Sequence, residues 1–115
     1  MKITIYQKPT CMTCRQVHAA LKESGVQFDA VDYYLDPIPK LKLRELLRKM
    51  GIPARQLLRT KEEIYKKLRL SERELTDDQI VDLMVEHPDL IQRPIVEKGA
   101  RAILARPAER LKEIL

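Results

Sequence analysis

The chain opens on a short alternation from Lys2 to Tyr6, with Ile3 and Ile5 on one side and Thr4 between them. Alternation with a period of two predicts a strand. A polar, proline-containing stretch follows, Gln7-Lys8-Pro9-Thr10. From Cys11 to Ser24 the apolar positions switch to helical spacing, with Val17, Ala20 and Leu21 on one stripe. Gly25 suits the residue after a helix end, where the backbone turns left-handed. Val26 to Asp32 alternates again, with Phe28 and Ala30 on the same side. The first third therefore reads as β-α-β, which requires parallel strands and a right-handed crossover.

Asp36-Pro37-Ile38-Pro39 breaks the pattern. From Lys40 onward Leu43, Leu46, Leu47 and Met50 recur at helical spacing until Gly51. Pro53 opens a short helical piece, Ala54 to Leu58, which ends at Arg59-Thr60. Lys61 to Leu68 reads as a partly ordered helix anchored by Ile64 and Tyr65. Thr76-Asp77-Asp78 is an N-terminal helix signal, because a capping hydroxyl precedes acidic residues in the first turn. Ile80, Leu83 and Met84 form the stripe behind it, and His87-Pro88 ends it. Arg93-Pro94-Ile95-Val96-Glu97 and Ala102-Ile103-Leu104, separated by Gly99, have hairpin spacing. Pro107 suits a first helical position, and Leu111, Ile114 and Leu115 supply the apolar side of a last helix.

The order is β-α-β, a helical insertion at about 37–90, then β-β-α. Without the insertion this is the order of a thioredoxin-like domain, an α/β fold with a four-stranded mixed sheet. One domain over 1–115 is expected, since 115 residues support a single modest core. There is no Trp and only one Phe, so aliphatic side chains must build it. The net charge is +5, but acidic residues are interspersed throughout, as on an ordinary solvated surface. Direct nucleic-acid binding is not expected. Neither a signal peptide nor a membrane span is visible, which points to the cytoplasm and to a monomer as the default.

In that compartment the pair Cys11-Met12-Thr13-Cys14 is more often catalytic, redox-sensing or metal-binding than a structural disulfide. Zinc would need two more ligands, and His18 and His87 lack paired spacing, so no metal is expected. A cysteine between a strand and a helix lies where unpaired N–H groups point. The helix dipole there favours a thiolate. Cys11 is thus the candidate nucleophile, and Cys14 either a resolving thiol or a bystander. Arg93, Arg59 and Arg106 are each ordinary surface arginines when read alone. Together they suit a tetrahedral oxyanion, because a thiolate attacking an anion needs charge cancelled by forked donors.

Ile3-Thr-Ile-Tyr-x-x-Pro-x-Cys11, Leu57-Leu58-Arg59, His87-Pro88, Ile91-Gln92-Arg93-Pro94-Ile95-Val96 and Arg106-Pro107 together resemble the glutaredoxin-coupled arsenate reductases. They also resemble the wider family those enzymes share with the redox transcription regulator Spx. The resemblance runs over nearly the whole chain. It implies that the Cys11 thiolate attacks arsenate or a similar oxyanion and that Arg59, Arg93 and Arg106 hold the adduct. It also implies a cis bond before Pro94, no bound cofactor, and glutathione with glutaredoxin, or thioredoxin, as electron donor.

Two departures stand out. Gln7-Lys8 occupies a place where the enzymes commonly carry His-Asn, leaving Lys8 as the cation near the thiol. Cys14 replaces a usual Ser or Thr, and a CxxC pair is what Spx-type regulators use as a switch. An Spx-like regulator that binds RNA polymerase and a glutaredoxin-like thiol–disulfide oxidoreductase are therefore the alternatives to arsenate reduction.

Overall fold

The computed structural model describes residues 2–115. The chain forms two compact units. One runs to Asp36 and resumes over Arg93–Leu115, and the other is Pro37–Gln92.

The first unit is built on a four-stranded mixed sheet. Strand β1, Ile3–Gln7, pairs in parallel with β2, Phe28–Asp32, and antiparallel with β3, Ile95–Lys98; β4, Arg101–Leu104, completes the order β2-β1-β3-β4. Gly99 turns the β3–β4 hairpin at φ +59°, a conformation open to glycine at no steric cost. Helix α1, Met12–Glu23, crosses between β1 and β2. Ile3, Ile5 and Val96 from the sheet, Val17 and Leu21 from α1, and Leu111 and Ile114 from the C-terminal segment form one core cluster with Ile103 and Ala105.

The α1 stripe is Cys14, Val17 and Leu21, whereas Ala20 faces out. Helical spacing alone puts Ala20 on the stripe, but the buried face is centred on Val17 and Leu21 toward the Cys14 side, which leaves Ala20 beyond its edge. Strand β2 begins at Phe28 rather than Val26, and Ala30 is exposed because β2 is an edge strand. The last segment is a 3-10 helix, Ala108–Glu113, with Pro107 as its cap and Leu115 about half exposed.

The second unit is helical. Helix α2, Lys40–Met50, ends on Gly51 in the left-handed region at φ +69°, where the Gly51 N–H donates to Leu47 O at 2.9 Å. Helix α3, Glu63–Lys67, is one short turn with no buried residue, and Leu70 just beyond it is the anchor instead of Ile64 or Tyr65. Helix α4, Asp77–Glu86, starts on a full capping box between Thr76 and Gln79. It buries Ile80, Val81 and Met84, with Leu83 only half-buried. Lys40 bridges Asp78 and Asp82 at 3.1 and 2.8 Å, which ties the start of α2 to α4. Leu58 and Ile91 form an isolated antiparallel bridge. Among the described residues no helix is long and apolar enough to cross a membrane.

Candidate active site

Sheet topology brings four loops to one end of the first unit. Gln7 pairs with Asp32 in the parallel β1–β2 ladder, so the chain leaves both strands at the same end. Tyr6 pairs with Ile95 and Ile95 with Leu104, so β3 enters and β4 leaves at that end too. Lys8 and Cys11 lie on the loop after β1, Tyr33 and Tyr34 after β2, Arg93 before β3 and Arg106 after β4. Residues spread over most of the sequence are thereby gathered by strand direction.

Cys11 is the N-cap of α1, with extended backbone at φ −81° and ψ 126°. Its own N–H donates to Lys8 O at 3.0 Å, closing the loop, and Arg15 Nε donates to Pro9 O at 2.9 Å, bracing it from the helix side. The Cys11 Sγ accepts the Cys14 backbone N–H at 3.4 Å, so the sulfur satisfies one of the orphan donors of the first turn. Burial pushes the Cys11 thiol up. Hydrogen bonds from the Cys14 side chain and backbone and from the Arg93 guanidinium, with the charge of Arg93, outweigh it and hold the thiol below its ordinary value. Cys14 is fully buried, and desolvation pushes its thiol up to about 12. The two thiols are free and unlike: Cys11 is partly exposed with its pKa lowered, and Cys14 is sealed with its pKa raised.

Arg93 is 5% exposed. Its guanidinium reaches the Tyr33 and Tyr34 side chains as well as Cys11, with Nη1 donating to Tyr34 Oη at 3.3 Å. Arg106, at the exposed rim, donates from Nη1 to Arg93 O at 3.2 Å. The peptide bonds Arg93–Pro94 and Arg106–Pro107 are both cis, the first as the thioredoxin-like topology implies. Lys8 Nζ stands 4.7 Å from the centre of the Tyr34 ring. The first unit thus assembles Cys11, Cys14, Lys8, Arg93 and Arg106 of the residues expected from sequence.

Arg59 belongs to the second unit. The Leu58–Ile91 bridge fixes its backbone, with Arg59 N–H donating to Leu90 O at 2.8 Å, and its Nε donates to Glu62 Oε1 at 2.9 Å. Sequence reading missed Tyr34. The available signal was an adjacent tyrosine pair in a chain with four Tyr, placed just after a strand parallel to the one preceding Cys11.

Among the described residues no group of three or more His, Cys, Asp or Glu could hold a metal ion. His18 packs edge-on against Phe28, ring centres 5.2 Å apart. The arrangement suits covalent chemistry at a sulfur: a thiol with a lowered pKa, a buried guanidinium against it, and Lys8 and Arg106 on loops at the same end of the sheet.

The chain is similar to known proteins over nearly its whole length. Over 113 residues the chain is 41% identical to an arsenate reductase of Escherichia coli strain K12, spanning 98% of this chain and 80% of that one. It is 37% identical to the E. coli protein YfgD, described as uncharacterised, over 99% of this chain and 97% of that one. A solved structure of an arsenate reductase from Vibrio cholerae superimposes with a TM-score of 0.94 at 36% identity, covering 100% of this chain and 98% of that chain. The family model described as the ArsC family matches residues 6–114, and the chain belongs to that family.

Proposed function

We propose that this protein reduces arsenate to arsenite through a covalent adduct on Cys11. The observation that carries the reading is the environment of the Cys11 sulfur, which takes hydrogen bonds from Cys14 and from the buried Arg93 guanidinium. A thiolate at a helix start attracts an electrophile. A guanidinium in contact with it supplies the positive charge that two approaching anions need.

In this reading the Cys11 thiolate attacks arsenic(V), forming an S–As bond while an arsenic-bound oxygen leaves as water. Arg93 and Arg106 stabilise the charge on the remaining oxygens. A donor thiol then attacks the Cys11 sulfur; the S–As bond breaks with its electron pair on arsenic, and arsenite leaves. Two thiols have become one disulfide, and arsenic has gained two electrons. A second donor thiol restores the Cys11 thiolate. The sealed, neutral Cys14 is a poor nucleophile in the resting protein, which favours an external donor, glutathione with glutaredoxin or thioredoxin in the cytoplasm. Arg59 keeps the anion-holding role that the family resemblance implies.

The test is arsenate-dependent oxidation of thiols by the purified protein, supplied with glutathione and glutaredoxin or with thioredoxin. Turnover that disappears in Cys11→Ser supports the reading. Undiminished turnover in Cys11→Ser overturns the mechanism. Absence of turnover with every donor, together with capture of RNA polymerase, would instead establish the Spx-like regulator.

A further inference from the structure

One side chain contacts both of the inner cations in the first unit. The backbone N–H of Tyr34 donates to Asp32 Oδ1 at 3.0 Å, a side-chain turn that fixes the chain as it leaves β2. The Tyr34 ring packs on Tyr33, which is buried, with ring centres 5.1 Å apart and planes tilted by 33°. Held in this way, Tyr34 presents its π face to Lys8 Nζ at 4.7 Å and its hydroxyl oxygen to Arg93 Nη1 at 3.3 Å. Lys8 is also the residue whose carbonyl accepts the Cys11 N–H, and Arg93 donates to the Cys11 sulfur.

The choice of phenol has a physical consequence. A carboxylate would hold the same two cations more strongly, but it would cancel their charge and repel an incoming oxyanion. A phenol offers a negative ring face and an oxygen lone pair while staying neutral at physiological pH. It therefore separates and orients an ammonium and a guanidinium without consuming the positive potential between them.

We infer that Tyr34 is a positioning residue that clamps Lys8 and Arg93 beside Cys11, the hydroxyl serving Arg93 and the ring face serving Lys8. This rests on the proposed anion chemistry at Cys11 only for its kinetic consequence; the effect on the thiol itself does not require arsenate.

Two substitutions separate the two contacts. Tyr34→Phe removes the hydroxyl and keeps the ring, whereas Tyr34→Leu removes both. The first readout is the pH midpoint of Cys11 alkylation by iodoacetamide, located by mass spectrometry. Loosening Arg93 moves that midpoint up by roughly half a unit to one unit in Tyr34→Phe, as loss of one orienting hydrogen bond dictates. The second readout is KM for arsenate, which rises about three- to tenfold for the same reason while kcat changes less. In double-mutant cycles, Lys8→Met is additive with Tyr34→Phe and couples with Tyr34→Leu. An unchanged alkylation midpoint in folded Tyr34→Phe overturns the hydroxyl assignment, whatever the protein does with arsenate. Additivity of Lys8→Met with Tyr34→Leu overturns the ring assignment.

Discussion

The backbone N–H of Cys14 points at Sγ of Cys11 across 3.4 Å, and the Cys14 side chain adds a second hydrogen bond to the same sulfur. Cys14 thus acts on Cys11 in two ways, and only one of them can be removed by substitution. Cys14→Ala leaves the backbone donor in place and takes the thiol away, so the Cys11 pKa rises. Cys14→Ser puts a hydroxyl donor back and restores most of the difference. The ultraviolet absorbance of the thiolate against pH gives both values. Equal titration of the two variants would remove the Cys14 side chain from any role in ionising Cys11.

Arg93 contacts both the Cys11 sulfur and the tyrosine pair, and in the proposed reaction it also holds the anion, so its loss is expected to be severe. Arg93→Ala lowers kcat/KM for arsenate by about a hundredfold, the scale of one lost oxyanion donor in a desolvated site. Arg93→Lys does not restore it, because an ammonium cannot present a planar fork to Cys11 and Tyr34 at once. Arg106→Ala costs less, about tenfold, since Arg106 lies at the exposed rim and its contribution is screened by salt. Kinetics at two ionic strengths separate the cases: the Arg106 effect shrinks at high salt and the Arg93 effect persists.

The order of elements was legible because each boundary carries a local cause: Gly25 and Gly51 after helices, Thr76 at a cap, Gly99 in a two-residue turn. The finer burial pattern was not. Ala20, Leu83, Ile64 and Tyr65 all satisfy helical spacing, yet none is buried, because spacing fixes a stripe only to within about one position and a five-residue helix has no stripe to speak of. The site divides in the same way. Cys11, Arg93 and Arg106 stand out by chemistry and neighbouring prolines. Tyr34 does not, since a tyrosine after a strand reads as packing until the parallel β1–β2 register places it at the Cys11 end.

Arg59 is engaged by a neighbour of opposite charge. Its Nε donates to Glu62 Oε1 at 2.9 Å, with both side chains mostly shielded from solvent. A carboxylate on one edge of the guanidinium competes with any oxyanion for the same donors. On the proposed anion-holding role of Arg59, Glu62→Gln keeps a hydrogen-bond acceptor and removes the competing charge, so KM for arsenate falls by about two- to threefold, an effect on the scale of one partly exposed ion pair. Arg59→Ala raises KM, and in that background Glu62→Gln has no further effect. A Glu62→Gln effect that survives in Arg59→Ala would show that Glu62 acts elsewhere.

The two thiols link stability to pH with opposite signs. The Cys11 pKa is lowered by folding, so its contribution is present above the ordinary thiol pKa and is lost as pH falls through the lower folded value. The Cys14 pKa is raised from 9.0 to about 12, so folding opposes its ionisation. Its contribution is complete below pH 9 and is lost as pH climbs from 9 toward 12. Alkali therefore draws the buried Cys14 toward the unfolded state, where its thiolate is solvated. Lysines and tyrosines titrate in the same window, so the informative quantity is the difference between the parent and Cys14→Ser in denaturant midpoints at successive pH values. That difference should be flat up to about pH 9 and then widen in favour of Cys14→Ser. A difference that stays constant to pH 12 would mean that the Cys14 thiol ionises as readily in the folded protein as in the unfolded chain.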